Sequence, residues 1–236
     1  MTGALAKLAR CGTLAREMRE AGKSDDCGRA GPPDWDARYR AARNGLYGEA
    51  PCEYLRMIAA RSDFAPRTAL LLGDGDGRNG TWLAGRGIAV TAVELSAVAT
   101  RKGRARDRRA GVATRRIAAD LASWSPPAGS SFDAVVALYL HCQAGVRKRA
   151  FAAAIAALAP GGWFVLEAFA KTADRPVTLG LARQALRYDL AELEIVAAEL
   201  DVIEAFTGRT RLDEGPLHRG MAEVVRFAAR RNPEPA

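Results

Sequence analysis

The sequence has no run of 18 or more apolar residues, and a helix needs about that many to span a bilayer. Its longest apolar stretch, residues 150–159, is alanine-rich and stops at Pro160, which reads as a packed helix. Residues 5–20 (LAKLARCGTLAREMRE) lack the apolar core and cleavage site of a secretory signal. They read as a loosely packed helix or upstream extension, with an amphipathic presequence as the alternative. Cysteine is scarce. Cys11, Cys27, Cys52 and Cys142 form no CxxC pair, and their spacing suits neither a zinc site nor a disulfide framework. Reduced thiols, no metal and a cytoplasmic location are the expectation. Acidic residues are outnumbered 27 to 35, but the +8 excess is local. Residues 97–116 hold eight basic side chains, running from Arg101 to Arg116, against the single acid Asp107. No aromatic residue interleaves them, so a nucleic-acid stripe lacks its stacking partners. A solvated helix face is the better reading, with nucleic acid kept as an alternative.

What is present is one α/β pattern. The 236 residues suffice for a single domain with a buried core, here placed at 34–231. Residues 1–33 are read as an extension and 232–236 as a tail. Trp35, Tyr39, Tyr47 and Tyr54 concentrate four of the nine Trp and Tyr residues before the first strand, and a helix is expected over 51–61. TALLLG, from Thr68, is an apolar run of the kind a buried parallel strand shows. After it come a helix over 79–86, a strand ending at Glu94, and a helix N-capped by Ser96. A strand follows over 112–118, then a strand at 132–140, a helix at 146–159 and a strand at 163–169. A helix over 178–190 is expected next. Residues 193–205 and 222–230 then read as an antiparallel pair joined by a long loop. Five parallel strands closed by a hairpin predict a doubly wound sheet that differs from the six-parallel-strand dinucleotide fold.

The chemistry gathers at LLLGDGDGRNG. Gly73 and Gly77 permit a sharp strand-to-helix turn, and Gly75 leaves room for a ligand near the backbone. The next helix N-terminus offers free N–H groups to an anion. The dinucleotide fingerprint would need glycine at position 78, where Arg78 stands. Glu94, 21 residues after Gly73, is placed to accept bonds from ribose hydroxyls. Asp120, just past the third strand, is placed to accept from an adenine amino group, with Leu121 or Trp124 on the ring. Glycine turn, Glu and Asp on successive strand ends trace an adenosyl group.

With WDARY, YGEAP, GDGDGRN, VTAVELS, AADL, SFDAVVA, LAPGGWFVLEAF and EGPLHRG, residues 34–231 resemble class I S-adenosylmethionine (SAM)-dependent methyltransferases, in particular the tellurite-resistance and thiopurine methyltransferase-like group. The resemblance implies a Rossmann-like seven-stranded sheet and SAM as cofactor, with S-adenosylhomocysteine as product. It implies that Gly73, Asp74, Gly75, Gly77 and Asn79 line the methionine half, that Glu94 and Leu95 hold the ribose, and that Asp120 and Leu121 hold the adenine. Ala137, Leu138 and Tyr139 would lie beneath the sulfonium, with Trp35 and Tyr47 closing over it. Such proteins carry an acid two residues before the first glycine; here it is Leu71. Asp74 is the expected substitute for that acid at the SAM amino group.

The candidate catalytic residues are His141, Tyr139 and Glu167, each at or just past a strand end. The candidate substrate contacts are Tyr39, Arg78, His218 and Arg219. The expected reaction is methyl transfer to a small soft or anionic nucleophile, a thiol or chalcogen oxyanion, by a monomer or homodimer without membrane partners. RNA or protein methylation, an NAD(P)-dependent oxidoreductase and a non-catalytic SAM-binding domain stand as alternatives.

Overall fold

The computed structural model describes residues 34–42, 45–172, 179 and 183–233. The extension expected over 1–33 lies outside these residues, as do Cys11, Cys27 and most of the first half of the helix expected over 178–190.

Seven strands form one sheet in the order β3-β2-β1-β4-β5-β7-β6. They are β1 Thr68–Leu72, β2 Ala89–Glu94, β3 Arg115–Ala118, β4 Phe132–Leu138, β5 Leu158–Phe169, β6 Asp201–Gly215 and β7 His218–Arg230. Five strands are parallel, and β7 inserts antiparallel between β5 and β6. The helices are α1 Trp35–Ala41, α2 Glu53–Ala59, α3 Arg78–Ala84, α4 Ala97–Ala110, α5 Ala144–Ala156 and α6 Leu190–Val196, with a 3₁₀ turn at Gln184–Leu186.

Alternation along β1 builds two cores. Ala69 and Leu71 face one layer with Tyr54, Leu55 and Leu83. Leu70 and Leu72 face the other with Phe151, Phe164 and Leu193. Successive strand side chains point to opposite faces, so an unbroken apolar run fills both.

Helix ends follow local chemistry. The Ser96 hydroxyl accepts from the Ala99 N–H at 3.0 Å, and Gly111 ends α4 in the left-handed region at φ 67°. Asp36 of α1 accepts from the Ser96 hydroxyl at 2.5 Å and from the Val98 N–H at 3.1 Å. Lys102 donates to the Tyr39 and Ala42 carbonyls. Alpha4 thus carries α1 across the carboxyl edge of the sheet.

The C-terminal quarter differs from expectation. Residues 190–196 form a helix where a strand over 193–205 is expected, because Asp189 caps that turn and its carboxylate accepts from the Ala191 N–H. The described part of the expected 178–190 helix is a single 3₁₀ turn and a bridge from Tyr188 to Ala170. The expected long loop before β7 is instead strand on both sides of a turn at Pro216 and Leu217. Regular pairing from Asp201 to Gly215 hides the loop-like composition of TGRTRLDEG, since the partner strand satisfies its backbone.

Candidate active site

A cleft opens at the carboxyl ends of β1, β2 and β4. Its floor is the turn from Gly73 to Gly77, where all three glycines have positive φ, at 71°, 58° and 89°. Their missing side chains make room for protein rather than ligand. A Cβ would meet Leu140 Cδ1 at 2.6 Å from Gly73, the Tyr39 hydroxyl at 2.4 Å from Gly75, and the Arg116 guanidinium at 2.6 Å from Gly77. The expectation that Gly75 is bare for the ligand's sake is therefore corrected. Its conformation and the Tyr39 hydroxyl already require glycine. Tyr39, expected to touch substrate, is buried on this turn, although its edge still lines the cleft.

Asp74 lines the cleft, but its carboxylate is committed within the protein. Its Oδ1 accepts from the Gly80 N–H at 3.0 Å and its Oδ2 from Arg116 Nη1 at 2.7 Å, with the side chain fully buried. Arg116 goes on to grip Asp107 through Nε at 2.6 Å and Nη2 at 2.9 Å, and Thr81 through Nη2 at 3.1 Å. Arg116 is a residue that sequence reading missed, counted there with the basic stripe. Other members of that stripe are likewise structural. Arg104 donates to the Arg116 carbonyl, and Arg106 to the carbonyls of Asp76 and Glu49. Arg101, Arg108, Arg109 and Arg115 remain exposed.

Glu94 closes the β2 tip. Its Oε2 accepts from the Gly75 N–H at 2.9 Å and its Oε1 from the Ser96 N–H at 2.8 Å. Burial raises its pKa to about 7 against those bonds, with the nearby Asp74 and Asp76 pushing the same way. Leu95 lines the cleft beside it and is half-exposed. Asp120 and Leu121 line the far wall, and Asp120 Oδ1 accepts from the Ala122 N–H at 2.8 Å. Asn79 lines the cleft too, and its Oδ1 accepts from the Cys52 N–H at 2.8 Å, fastening the start of α2. Leu138 lines the cleft, whereas Ala137 alternates into the opposite core and does not line it.

Beyond β4 the walls are rings. The His141 ring lies 5.9 Å from Trp35 at 14° and 5.9 Å from Phe169 at 3°, with Tyr47 at 6.3 Å. Burial drives its pKa down to about 3, and His218 and Arg38 press in the same direction, so it is neutral at pH 7. Tyr139 takes a φ of 53°, the one described non-glycine residue with positive φ. Its hydroxyl donates to Glu167 Oε1 at 2.9 Å.

Glu167, a candidate catalytic carboxylate, sits under this floor. It is fully buried, accepts from Arg226 Nε at 2.5 Å and from the Cys52 thiol at 3.2 Å, and does not line the cleft. Arg78 lines the cleft, but its Nη2 is 2.7 Å from Glu214 Oε2 and its Nη1 donates to the Ala50 carbonyl. It is a buried ion pair rather than a free anion receptor. His218 is buried in β7, not exposed in a loop. Its Nδ1 is 3.1 Å from Glu214 Oε2, and its Nε2 has no hydrogen-bond partner among the described residues. Its ring packs 4.1 Å from that of Tyr139 and 4.7 Å from that of Tyr47. Arg219 pairs with Asp213 at the surface, away from the cleft. Glu214 and Arg226 were missed as well, because they work through Arg78 and Glu167, 136 and 59 residues away in the chain, and Glu214 also meets His218 across a turn the sequence disguised. Cys52 and Cys142 are free thiols. No helix of the described residues is long and apolar enough to cross a membrane.

The described residues suit an adenosyl sulfonium. Glu94 and Asp120 stand at neighbouring strand tips, and the Asp76 carboxylate accepts no hydrogen bond from any described residue while lining the cleft. Residues 69–162 match the profile of a methyltransferase domain family. No curated protein matches the chain by sequence. Solved structures match the fold. TehB from Haemophilus influenzae aligns at 17% identity and TM-score 0.61, over 75% of this chain and 62% of that one. This chain thus spans less than two thirds of TehB's length. The N-methyltransferase NodS from Bradyrhizobium japonicum WM9, in complex with S-adenosylhomocysteine, aligns at 17% identity and TM-score 0.57, over 94% and 99% of the two chains. A protein from the conversion of a disulfide bond into a thioacetal group during echinomycin biosynthesis aligns at 20% identity and TM-score 0.62, over 86% and 92%. The seven-stranded sheet has the class I methyltransferase fold, and residues 69–162, which carry the glycine turn, Glu94 and Asp120, match a methyltransferase domain.

Proposed function

We propose that the protein methylates a small soft nucleophile, best a thiol, with the acceptor held among the rings beyond β4. The observation that carries this reading is the His141 ring set parallel between Trp35 and Phe169, beside the Tyr47 and Tyr139 rings. When bound, SAM supplies an electrophilic methyl group on a positively charged sulfonium with a neutral leaving group.

The rings do three things. They exclude water, which strengthens the electrostatics inside the cleft. Their faces attract a sulfonium. They also present a polarisable wall to a sulfur acceptor. A chalcogen oxyanion would want an uncommitted cation; Arg78 and Arg226 are bound to Glu214 and Glu167, whereas Arg38 stands 5.3 Å over the Trp35 ring. One structural relative takes part in chemistry at a disulfide, in keeping with a sulfur acceptor.

His141 is too weak a base to matter, with its pKa near 3. A second candidate proton acceptor, His218, lies one layer deeper, where burial lowers its pKa and the Glu214 carboxylate opposes that shift. Glu214 beside Nδ1 favours the tautomer with the proton there, leaving the Nε2 lone pair of His218 unengaged. Movement of Tyr47, which stands between His218 and the cleft, would bring that nitrogen to the acceptor. Incubating the protein with SAM and thiols, selenite, tellurite and phenols, and following S-adenosylhomocysteine release, tests the reading. Thiols should turn over fastest, and His218→Gln should lower that rate about 10²-fold or more. Release with oxyanions alone would refute it.

A further inference from the structure

The turn holds two acids, and only one is spent. Asp74 has both oxygens bound inside the protein. Asp76 is buried almost as deeply, with 7% of its side chain exposed, yet it faces the cleft. No described residue donates a hydrogen bond to its carboxylate. The nearest cation among the described residues is Arg106, whose Nη2 lies 3.7 Å from Oδ2, beyond hydrogen-bond reach. Arg106 spends its Nε on the Asp76 carbonyl at 3.2 Å and its Nη1 on the Glu49 carbonyl at 3.4 Å. A Cβ on Gly45 would stand 3.3 Å from Asp76 Oδ2, so the glycine keeps that flank of the carboxylate uncrowded. An ionised carboxylate accepts up to about four hydrogen bonds, and a buried one left without donors is costly.

We propose that Asp76 receives the ammonium group of the methionine half of SAM, in place of the acid absent at Leu71. Leu71 is itself buried in the core on the face with Val136 and Leu83 and offers no oxygen. An ammonium brings three donors and a full positive charge, and Asp76 is the cleft acid with both oxygens unfilled. Glu94 has its oxygens on Gly75 and Ser96, and Asp120 stands at the opposite, adenine end. The proposal rests on the SAM reading of the site.

Three ligands separate its parts by calorimetry on the full chain. S-adenosylhomocysteine has both ammonium and carboxylate, S-adenosyl-3-thiopropylamine has the ammonium alone, and 5′-methylthioadenosine has neither. Asp76→Asn should weaken the first two by about 10- to 100-fold, the range of a charge-assisted bond, and leave the third within about twofold. Far-UV circular dichroism and the melting temperature of the variant should match the parent. Unchanged binding of the first two ligands would overturn the proposal, as would an equal loss for all three. If the parent protein bound none of them, the SAM reading itself would fall, and this inference with it.

Discussion

The two halves of the cleft are built in opposite ways. On the cofactor side, from β1 to β3, the groups come from short stretches of chain. Gly73 to Gly77 form one turn, Glu94 bonds Ser96 two residues on, and Asp120 bonds Ala122. On the acceptor side most groups depend on distant chain, His218 with its nearby Glu214 excepted. Tyr139 leans on Glu167, Glu167 on Arg226 and Cys52, and Arg78 on Glu214. Local geometry can be reused across many acceptors, whereas long-range packing is where an individual substrate is chosen. The two sides also spend arginine differently. Arg116 holds the cofactor turn in shape through Asp74 and Asp107, while Arg78 and Arg226 neutralise carboxylates beneath the acceptor floor.

The sharpest way to break this comparison is to remove the cofactor-side clamp. Arg116→Met leaves Asp74 and Asp107 facing each other without their cation, and should cost about 3–5 kcal/mol of unfolding free energy in urea titration. A loss below about 1 kcal/mol would deny Arg116 the role given it here.

Next in size is the strap at 45–50. A Cβ on Gly48 would stand 1.8 Å from the Glu214 carbonyl oxygen, and φ there is 95°. Gly48→Ala should therefore displace the strap or strain it by about 1–3 kcal/mol. Because the strap carries Tyr47 beside His218 and His141, methyl transfer should fall more than cofactor affinity does. Equal losses would erase the division between the halves.

A gentler probe is pH. The raised pKa of Glu94, about 7 against an ordinary 4.5, means that the folded protein holds this proton more tightly than the unfolded chain. Stability should then decline as pH rises from about 4.5 to 7 and level off above it. Cofactor affinity should move the other way, since the ionised carboxylate is the better acceptor for ribose hydroxyls. Titration with S-adenosylhomocysteine from pH 6 to 8 should show tightening of up to about tenfold. Glu94→Gln should flatten that slope. The smallest expected effect belongs to His141→Phe. It keeps a ring between Trp35 and Phe169 and should change kcat less than about fivefold, with no shift in its pH profile. A large loss would make His141 the base after all.

Much of the cofactor side was legible in the sequence for the reason just given. Strand runs, the Ser96 cap and the GDGDG turn are local signals, and they placed Glu94 and Asp120 at neighbouring strand tips. Arg116 was not legible, because one buried arginine looks like its exposed neighbours until β3 pairs with β2 and turns it inward. Asp74 and Asp76 could not be told apart, since side-chain direction in a tight turn depends on φ values that the letters do not carry. On the acceptor side, TGRTRLDEG looked like loop because most of its polar residues, Glu214 excepted, face outward along β6, and that error put His218 in solvent. Helix α6 was read as strand because LEIVAAEL suits either state, and only the Asp189 cap decides it.

The most direct test is a crystal structure of the protein with S-adenosylhomocysteine. The account requires the ligand to lie across the tips of β1, β2 and β3, with ribose hydroxyls on Glu94, the adenine amino group toward Asp120 and the amino acid end at Asp76. A ligand lodged elsewhere, or a cleft that takes a nicotinamide dinucleotide and refuses S-adenosylhomocysteine, would contradict it.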